Sequence, residues 1–368
     1  MSAYTVRDVL RPKTIGEVQE IVRAHRYIFP RGAGTKTALV SPPPEATVLD
    51  LSGLAGIVEY DPAEFTFTAL GGTPVREIER VLAAHGQELP FDPPLAAAGA
   101  TLGGVVACGL SGPGRYRYGG VRDFILGVRF VDGLGDLVRG GGRVVKNAAG
   151  FDFPKLMVGS LGRLGVLVEL AFKVFPAPKS HATVRVAFAR LDEALEVLLR
   201  LLTSPFDLCS LDLEPPNVLW VRIGGLPESL DARLHRLLAF LDGHAEVVQG
   251  AEERSVWERV REFGWVPAAW ALVKVPITPR RISELEERLS GLGAVRRYSA
   301  GGAVAWVACP GDPQALDGIL TELGLSGLRV LGPPGPPILG AWIGGAFGRR
   351  VKQALDPDGR FGPLPWEP

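Results

Sequence analysis

Apolar residues recur at two different spacings along the second half of the chain, one typical of β-strands and one typical of α-helices. Two segments, ATVRVAF (182–188) and VLWVRIGG (218–225), have the composition and alternation of β-strands. Three others repeat apolar residues at the three- and four-residue spacing of amphipathic helices. This order predicts an α+β module with an antiparallel or mixed sheet and helices on one face. The predicted helices are LDEALEVLLRLLTS (191–204), SLDARLHRLLAFL (229–241) and RRISELEERLSGL (280–292), whose leucines, such as Leu195, Leu198, Leu199 and Leu202, are expected in the core.

Glycine clusters separate the predicted elements of the first half. A short apolar strand, YIFP (27–30), leads into the glycine loop RGAGTKT. The segment 115–142 predicts a buried strand, a turn and a second strand, and the segment 154–175 predicts a helix, a glycine turn and a long apolar strand. Clustered glycines indicate positive φ angles or a close approach of the backbone to another group.

The change of pattern divides the chain into domains. We predict a first domain over residues 1–178, formed by two parts at about 1–53 and 54–178, and a smaller second domain over 179–331. The proline-rich segment LGPPGPPIL (331–339) is expected to end the second domain. Residues 332–368 are then expected to return to the first domain.

Composition and charge exclude several classes of protein. Forty basic residues balance forty acidic ones, so no overall field favours nucleic acid or an anionic membrane. The three cysteines, Cys108, Cys209 and Cys309, lack the spacing of a zinc or iron–sulfur site, so no metal is predicted. No apolar run is long enough to span a bilayer, which predicts a cytoplasmic protein. Scarce asparagine and a preference for arginine over lysine favour a thermophilic source.

The loop PRGAGTKT (30–37) has the composition of an anion-binding nest. Gly32 and Gly34 free the backbone to direct successive N–H groups at a phosphate, and Arg31, Thr35 and Lys36 add donors. A Walker A loop would need GxxxxGK[ST], which the sequence lacks, and a dinucleotide fingerprint would need a third glycine. By itself the glycine pair is equally compatible with a structural turn.

A second glycine segment, GATLGGVVACGLSG (99–112), favours a ligand over a structural turn. Thr101 is predicted to cap a helix whose first turn carries Gly103 and Gly104, which leaves room for a flat ligand against the backbone.

Taken together, the ordered motifs resemble the FAD-binding domain of the vanillyl-alcohol oxidase superfamily. They are PRGAGT, LDLSGL, the segment 100–128 and GGRVVKNAAGFDFPKLMVGSLGRLGVL (141–167), and VKQALDPDGRFGPLP (351–365) is similar to the C-terminal segment of that family. Within the superfamily, the chain resembles the E subunits of bacterial glycolate oxidase most in its short length and in the segment GGRVVKNAAGFD (141–152). The resemblance implies an α+β fold with a two-part PCMH-type FAD-binding domain and a reduced α+β cap.

The resemblance also implies which residues bind FAD. The loop at 30–36 would wrap the pyrophosphate, the start of the second glycine segment would line the diphosphate and flavin edge, and later residues would contact the ring system and the adenine. The implied FAD-binding residues are Pro30, Arg31, Gly32, Ala33, Gly34, Thr35, Lys36, Gly99, Ala100, Thr101, Gly104, Val105, Gly109, Ser111, Gly112, Tyr118, Gly119, Gly165 and Val166.

Two departures from the family pattern concern the flavin linkage and the substrate chemistry. The position after the RGAG loop is Thr35 rather than a histidine, and Cys108 is expected to be a half-buried apolar residue, so noncovalent FAD is predicted. Oxidising a hydroxy acid requires a base, for which histidine is the usual choice. The five histidines are isolated, and His181 is placed in the interdomain linker. Lys146 and Asn147 are the polar candidates near a flavin, although structural support of a loop is the favoured interpretation.

For function, the resemblance implies an FAD-binding subunit that helps to oxidise glycolate to glyoxylate in a hetero-oligomer. Its expected partners are a second flavin subunit and an iron–sulfur subunit, through which the protein would reach a membrane. Two alternatives stay open: a self-sufficient flavin dehydrogenase for another substrate, and a non-catalytic subunit whose FAD is an electron relay or only a structural element. The arginines at 115, 117, 122, 349 and 350 are candidates for a small-carboxylate entrance or a docking rim.

Overall fold

A computed structural model describes residues 8–39, 42–142, 151–241, 245–342 and 345–366. The strands are β1 (Val9–Leu10), β2 (Ile28–Arg31), β3 (Thr47–Asp50), β4 (Ile57–Asp61), β5 (Thr66–Leu70), β6 (Gln87–Glu88), β7 (Ile125–Val131), β8 (Leu137–Gly141), β9 (Val166–Lys173), β10 (Phe175–Pro176), β11 (Ser180–Ala187), β12 (Leu208–Glu214), β13 (Val218–Gly225), β14 (Ala245–Gln249), β15 (Ala271–Pro276), β16 (Val295–Ser299), β17 (Val304–Cys309), β18 (Ser326–Leu331) and β19 (Ile338–Gly340). The helices are α1 (Ile15–Ala24), α2 (Val75–Ala83), α3 (Leu102–Cys108), α4 (Arg115–Tyr118), α5 (Val121–Phe124), α6 (Phe153–Met157), α7 (Leu191–Leu202), α8 (Pro227–Leu241), α9 (Gly250–Arg261), α10 (Ile282–Leu289), α11 (Gln314–Glu322) and α12 (Gly345–Leu355).

The chain forms two compact units. Unit 1 consists of Met1–Ser111, Gly120–Pro176 and Ile343–Pro368, and unit 2 of Gly112–Gly119 and Ala177–Trp342. The predicted boundary after residue 331 is therefore wrong by eleven residues. The unit extends further because the proline-rich segment is followed by β19. This strand pairs antiparallel with β18 and so stays in the sheet of unit 2. Gly112–Gly119 also belongs to unit 2, which was not predicted.

Unit 1 contains two sheets of three or more strands, besides the two-stranded antiparallel pair β10-β6. The smaller of the two is parallel, with the order β1-β3-β2, and α1 connects its edge strands. Helix α1 begins after Thr14, whose side chain accepts a hydrogen bond from the Glu17 amide, and it buries Val18 and Val22 one turn apart. The larger sheet is antiparallel, with the order β4-β5-β9-β7-β8.

The C-terminal segment attaches to unit 1 through hydrogen bonds and apolar burial. The Ile28 amide of β2 donates to the Arg360 carbonyl at 2.8 Å. The buried Asp356 carboxylate accepts the amides of Arg360 and Phe361 at 2.8 and 2.9 Å. Phe361 is fully buried in the same cluster as Val18 and Ile28. This segment therefore completes the core beside the parallel sheet.

Unit 2 is built on one nine-stranded sheet with the order β14-β11-β13-β12-β16-β17-β15-β18-β19. Every described strand pair in it is antiparallel. One face packs against α7, α8, α10 and α11 in the largest apolar core. The predicted strands and helices of this unit are confirmed, and the predicted sheet is antiparallel rather than mixed.

The prediction of helices on one face is wrong for α9. Ala182 and Val184 of β11 belong to the core shared with the other helices, so Thr183 between them points to the opposite face. Trp257 and Glu253 of α9 both hydrogen-bond to Thr183, at 2.8 and 3.0 Å. Helix α9 therefore covers the second face of the sheet.

The leucine stripe of α7 is also shifted from the predicted one. Leu195 and Leu198 are buried as expected, but Leu199 and Leu202 remain 39% and 37% exposed. Leu201 takes the buried position instead. Because a run of consecutive leucines fits more than one helical phase, the sequence does not decide which of them faces the sheet.

The second face of the sheet carries buried ion pairs. The Arg297 Nε atom donates to the fully buried Asp212 carboxylate at 2.8 Å, and the Ser299 hydroxyl donates to the same oxygen at 2.8 Å. Burial raises the pKa of Asp212, and Arg297 and Ser299 act in the opposite direction. Beside them Arg222 contacts Glu253 at 2.7 Å. These polar groups are hydrogen-bonded across strands, as burial requires.

His181 lies in β11, where it pairs with Gly224, and its predicted place in a linker is wrong. Strand β11 starts at Ser180 because the antiparallel pairing with β13 continues to that residue. Burial and then the nearby charge of Arg222 lower the pKa of His181 to about 3. The imidazole is therefore neutral in the folded protein at ordinary pH.

We expect the His181→Gln variant to lose part of the acid sensitivity of the protein. A folded-state pKa below the ordinary value of 6.5 stabilises the fold above pH 6.5, and this stability is lost as the pH falls towards 3. Between pH 8 and pH 5 the loss amounts to about 2 kcal/mol. Urea unfolding at both pH values measures it. The control is His235→Gln, an exposed residue of α8, and equal pH dependence in both variants would contradict the assignment.

Candidate functional site

The chain leaves the parallel sheet at the end of β2 through the glycine loop at residues 32–36. Gly34 has a φ of +71°, in the left-handed region that favours glycine. Lys36 is only 6% exposed, and its Nζ atom donates to the Thr35 hydroxyl at 3.1 Å. The lysine side chain is thus buried within the loop rather than extended into solvent.

This loop lies against the beginning of α3. A Cβ atom on Gly32 would overlap the hydroxyl of Thr101. Thr101 caps α3, because its hydroxyl accepts a hydrogen bond from the Gly104 amide at 3.3 Å. The predicted N-cap is confirmed, and a glycine is required at position 32 for this close approach.

The start of α3 is fixed by a segment that the sequence did not identify as part of the site. The Leu102 amide donates to the Thr73 carbonyl at 2.9 Å, and the Gly103 amide donates to the Gly71 carbonyl at 2.8 Å. A Cβ atom on Gly103 would lie 2.8 Å from the Gly71 oxygen. The glycines in ALGGT (69–73) were the available signal, because they permit this packing of backbone on backbone.

A third glycine segment, residues 159–165, packs at the end of α3. The Gly159 amide donates to the Val106 carbonyl at 3.0 Å. A Cβ atom on Gly162 would lie 3.6 Å from the Pro30 ring. Three glycine segments far apart in the sequence therefore meet around α3 and the end of β2.

Glycines at this junction border open space. Gly99 and Gly159 have φ angles of +91° and +83°, and no described atom lies within 4 Å of the place where either Cβ would be. The Ser160 hydroxyl is buried without a hydrogen-bond partner among the described residues. An unsatisfied buried hydroxyl costs roughly 1–3 kcal/mol, which a ligand oxygen would offset. The junction therefore fits an extended ligand with oxygen acceptors.

Most of the sequence-predicted residues lie in unit 1 on these segments. Ala100, Val105 and Val166 are fully buried, and the amides of Ala100 and Val105 already donate to the carbonyls of Leu95 and Thr101. The Ser111 hydroxyl already accepts a hydrogen bond from the Val121 amide at 3.0 Å. The residues that the structure places in unit 1 are Pro30, Arg31, Gly32, Ala33, Gly34, Thr35, Lys36, Gly99, Ala100, Thr101, Gly104, Val105, Gly109, Ser111, Gly165 and Val166.

The other predicted residues are not part of this group. Gly112, Tyr118 and Gly119 belong to unit 2, on either side of or within α4. Lys146 and Asn147 lie outside the described residues. Their roles remain predictions.

The charge on the predicted anion loop is partly balanced by an acidic residue. Arg31 lies 3.8 Å from the carboxylate of Asp50, which also accepts from Arg11 at 2.8 Å. Burial acts to raise the pKa of Asp50, but hydrogen bonds from Ser52 and Arg11 outweigh it, and the pKa lies below its ordinary value. Asp50 is therefore ionised, and it holds the Arg31 side chain beside the loop.

Most described histidines contact their own or a neighbouring element. The Nδ1 atoms of His25 and His235 lie 2.9 and 2.8 Å from the carbonyls of Ile21 and Asp231 in the same helices. His85 stacks edge-on with Tyr60, with ring centroids 5.2 Å apart. His244 lies outside the described residues.

The five candidate arginines of the predicted anion entrance divide between the two units. Arg115 and Arg117 are in unit 2, where Arg117 forms an ion pair with Asp207 at 2.6 Å. Arg122, Arg349 and Arg350 are in unit 1. The five arginines therefore do not all belong to one unit, and the anion entrance stays a prediction.

Comparison with known families identifies the first half of the chain. A family model described as an FAD binding domain matches residues 7–141. A solved alkyldihydroxyacetonephosphate synthase superposes with a TM-score of 0.73 over 96% of this chain and 76% of its own. At 16% identity that structure supports the fold alone. The predicted α+β fold with a PCMH-type FAD-binding domain is confirmed, and the cofactor is FAD.

Curated relatives extend the similarity over nearly the whole chain. The glycolate oxidase subunit GlcE of Escherichia coli is 35% identical over 354 residues, which are 94% of this chain and 94% of GlcE. The subunit GlcD of Bacillus subtilis is 30% identical over 67% of this chain and 53% of its own length. A D-2-hydroxyglutarate dehydrogenase of Xanthomonas citri is 29% identical over 50% of this chain and 40% of its own length. This chain belongs to the family of FAD-binding oxidoreductase subunits that includes GlcE.

Proposed function

We propose that the protein is the FAD-binding subunit of a complex that oxidises glycolate to glyoxylate and passes the electrons to partner subunits. The observation that carries this proposal is the similarity to GlcE, which extends over 94% of both chains and so includes unit 2 as well as the FAD-binding half. The proposed partners are a second flavin subunit and an iron–sulfur subunit. In the described residues no helix is long and apolar enough to cross a membrane, and any membrane association would depend on those partners.

The residues around α3 are proposed to hold FAD without a covalent bond. The loop Pro30–Lys36 would bind the diphosphate through main-chain amides, and Gly99–Val105 would continue this contact towards the flavin edge. Gly165 and Val166 would meet the adenine end through main-chain groups. When bound, FAD supplies an acceptor for the hydride of the substrate.

The described residues contribute to this chemistry by positioning the cofactor. Gly32 brings the loop against the Thr101 side chain, and Gly103 brings α3 against the Gly71 backbone, so the amides of the loop and of α3 are held by the fold. The buried Ser160 hydroxyl can donate to a ligand oxygen. Rigid donors of this kind bind an anionic group without further ordering of side chains.

A non-catalytic subunit that holds FAD as an electron relay is the second candidate. Oxidation of a hydroxyl group requires a base with a pKa near the working pH. His181 has a pKa of only about 3, and three of the other histidines contact backbone or ring groups of unit 1 or of their own helix. A relay would need no such base in this chain.

An absorbance experiment distinguishes these functions. The purified chain is expected to show a flavin band, and anaerobic glycolate is expected to bleach it only when the co-expressed partners are present. Bleaching of the isolated chain would instead identify a self-sufficient dehydrogenase. A flavin band that glycolate never bleaches, even in the assembled complex, would exclude an electron relay and identify an FAD that the chain only holds. A chain that never takes up FAD would overturn the proposal.

A further inference from the structure

Unit 2 contains a cavity of about 600 Å³ on the face of its sheet that α9 covers. Trp220 of β13 and Arg297 of β16 line it from the sheet, and Val256, Arg259 and Val260 line it from α9. The loop after α9 adds Trp265. A volume of this size is in the range of small-molecule sites, roughly 300–1,000 Å³. All lining residues belong to unit 2, so this cavity is described within one compact unit.

Hydrogen-bond donors exceed acceptors in the walls of this cavity. The Nη2 atom of Arg297 is buried and has no partner among the described residues, although Nε and Nη1 bind Asp212 and Glu214. The indole N–H of Trp265 is also buried without a described partner. The one acidic side chain of the lining, Glu214, already accepts from Trp220 at 2.8 Å and from Arg297 at 3.3 Å.

Arg259 adds a positive charge at the same cavity. It is exposed on α9, and it forms no ion pair within the described part of the chain. Glu214 is half-exposed and already accepts from Trp220 and Arg297. The charge of Arg259 is therefore left without a counterion among the residues that line the cavity. A ligand with a carboxylate would supply both the missing negative charge and the missing acceptor oxygens.

The remaining walls are apolar and aromatic. Two tryptophans, two adjacent prolines at 215 and 216 and two valines of α9 line most of the cavity. Such walls favour a ring or a branched hydrocarbon, because burial of apolar area contributes about 25 cal/mol per Å². Aromatic rings also stack on tryptophan.

We propose that this cavity binds an organic monocarboxylate with an aromatic or branched apolar body. The carboxylate accepts from the Trp265 indole and from Arg259, and the body packs between the tryptophans and the prolines. The proposal uses none of the residues that are proposed to bind FAD.

Isothermal titration calorimetry of the full-length, FAD-loaded chain with phenylacetate tests the proposal. We expect a dissociation constant of roughly 0.1–1 mM, in keeping with a ligand of about ten heavy atoms. Phenylacetamide has the same shape without the charge, and acetate has the charge without the ring. Each is expected to bind at least about tenfold more weakly.

Two variants locate the binding. Trp265→Phe keeps the ring and removes the N–H donor, and Arg259→Gln removes the charge. Each is expected to weaken phenylacetate binding about fivefold to tenfold. The matched control is Arg254→Gln, an exposed position of the same helix that does not line the cavity, for which we expect less than a twofold change.

Several outcomes would overturn the proposal. They are no heat of binding up to about 10 mM phenylacetate, equal binding of phenylacetamide, or equal effects of Arg259→Gln and Arg254→Gln. Arg259→Gln is an exposed substitution, so it keeps the test informative even where Trp265→Phe impairs folding. Retained flavin absorbance in each variant shows that a loss of binding is separate from the proposed FAD function.

Discussion

The Gly32→Ala variant should bind FAD about 30- to 150-fold more weakly than the natural protein. A Cβ atom at this position would overlap the Thr101 hydroxyl, so the loop or the start of α3 must move. Overpacking of this kind costs about 2–3 kcal/mol, which converts to the stated loss of affinity. Recovery of flavin fluorescence when the FAD-loaded protein is diluted measures the change.

The control and a rescue variant make this prediction specific. Gly16→Ala places its Cβ in α1, where the nearest atom would be the Thr14 hydroxyl 3.9 Å away, and it should leave FAD affinity unchanged. Adding Thr101→Gly to Gly32→Ala removes the overlapping atoms, and glycine is tolerated as an N-cap. The double variant should regain most of the affinity. Full affinity in Gly32→Ala alone would show that this contact does not position the loop.

Replacing Arg297 with Met should destabilise unit 2 by about 3–5 kcal/mol near neutral pH, the range for breaking a buried ion pair. The substitution leaves the fully buried Asp212 carboxylate with the Ser299 hydroxyl as its remaining described side-chain donor. Unfolding in urea, followed by tryptophan fluorescence, is suitable because Trp220, Trp257 and Trp306 all lie in this unit.

The pH dependence of this variant has a defined sign. Burial raises the pKa of Asp212, and without Arg297 the carboxyl group should take up a proton more readily. A raised folded-state pKa gives stability that is present at low pH and lost as the pH rises, so Arg297→Met should be less stable at pH 8 than at pH 5 relative to the natural protein.

An exposed ion pair on the same sheet provides the control. Arg185 contacts Glu246 at 3.4 Å, with side chains 39% and 61% exposed. Surface pairs of this kind contribute about 0–1 kcal/mol, so Arg185→Met should change stability little. Similar losses in Arg297→Met and Arg185→Met would contradict the importance of burial.

The glycine loop at 32–36 and the start of α3 could be predicted from the sequence because glycine and an N-cap threonine have a local physical meaning. Gly32, Gly34 and the N-cap Thr101 stand where the structure requires positive φ, close approach or a capping hydroxyl. The contribution of Gly71 and Thr73 was not predicted, because their contacts to α3 join segments about thirty residues apart and leave no local periodicity.

The sequence by itself determined the two strands and three helices predicted for the second half, the family and the places where glycine is needed, since these depend on spacing and on the conformational range of single residues. Only the tertiary structure decided that β19 extends the sheet of unit 2, that His181 lies in a strand, and that Leu201 rather than Leu202 faces the core. The physical reason is common to all three. Strand pairing and helix rotation are set by contacts with distant segments, and a local pattern of apolar residues is compatible with several of them.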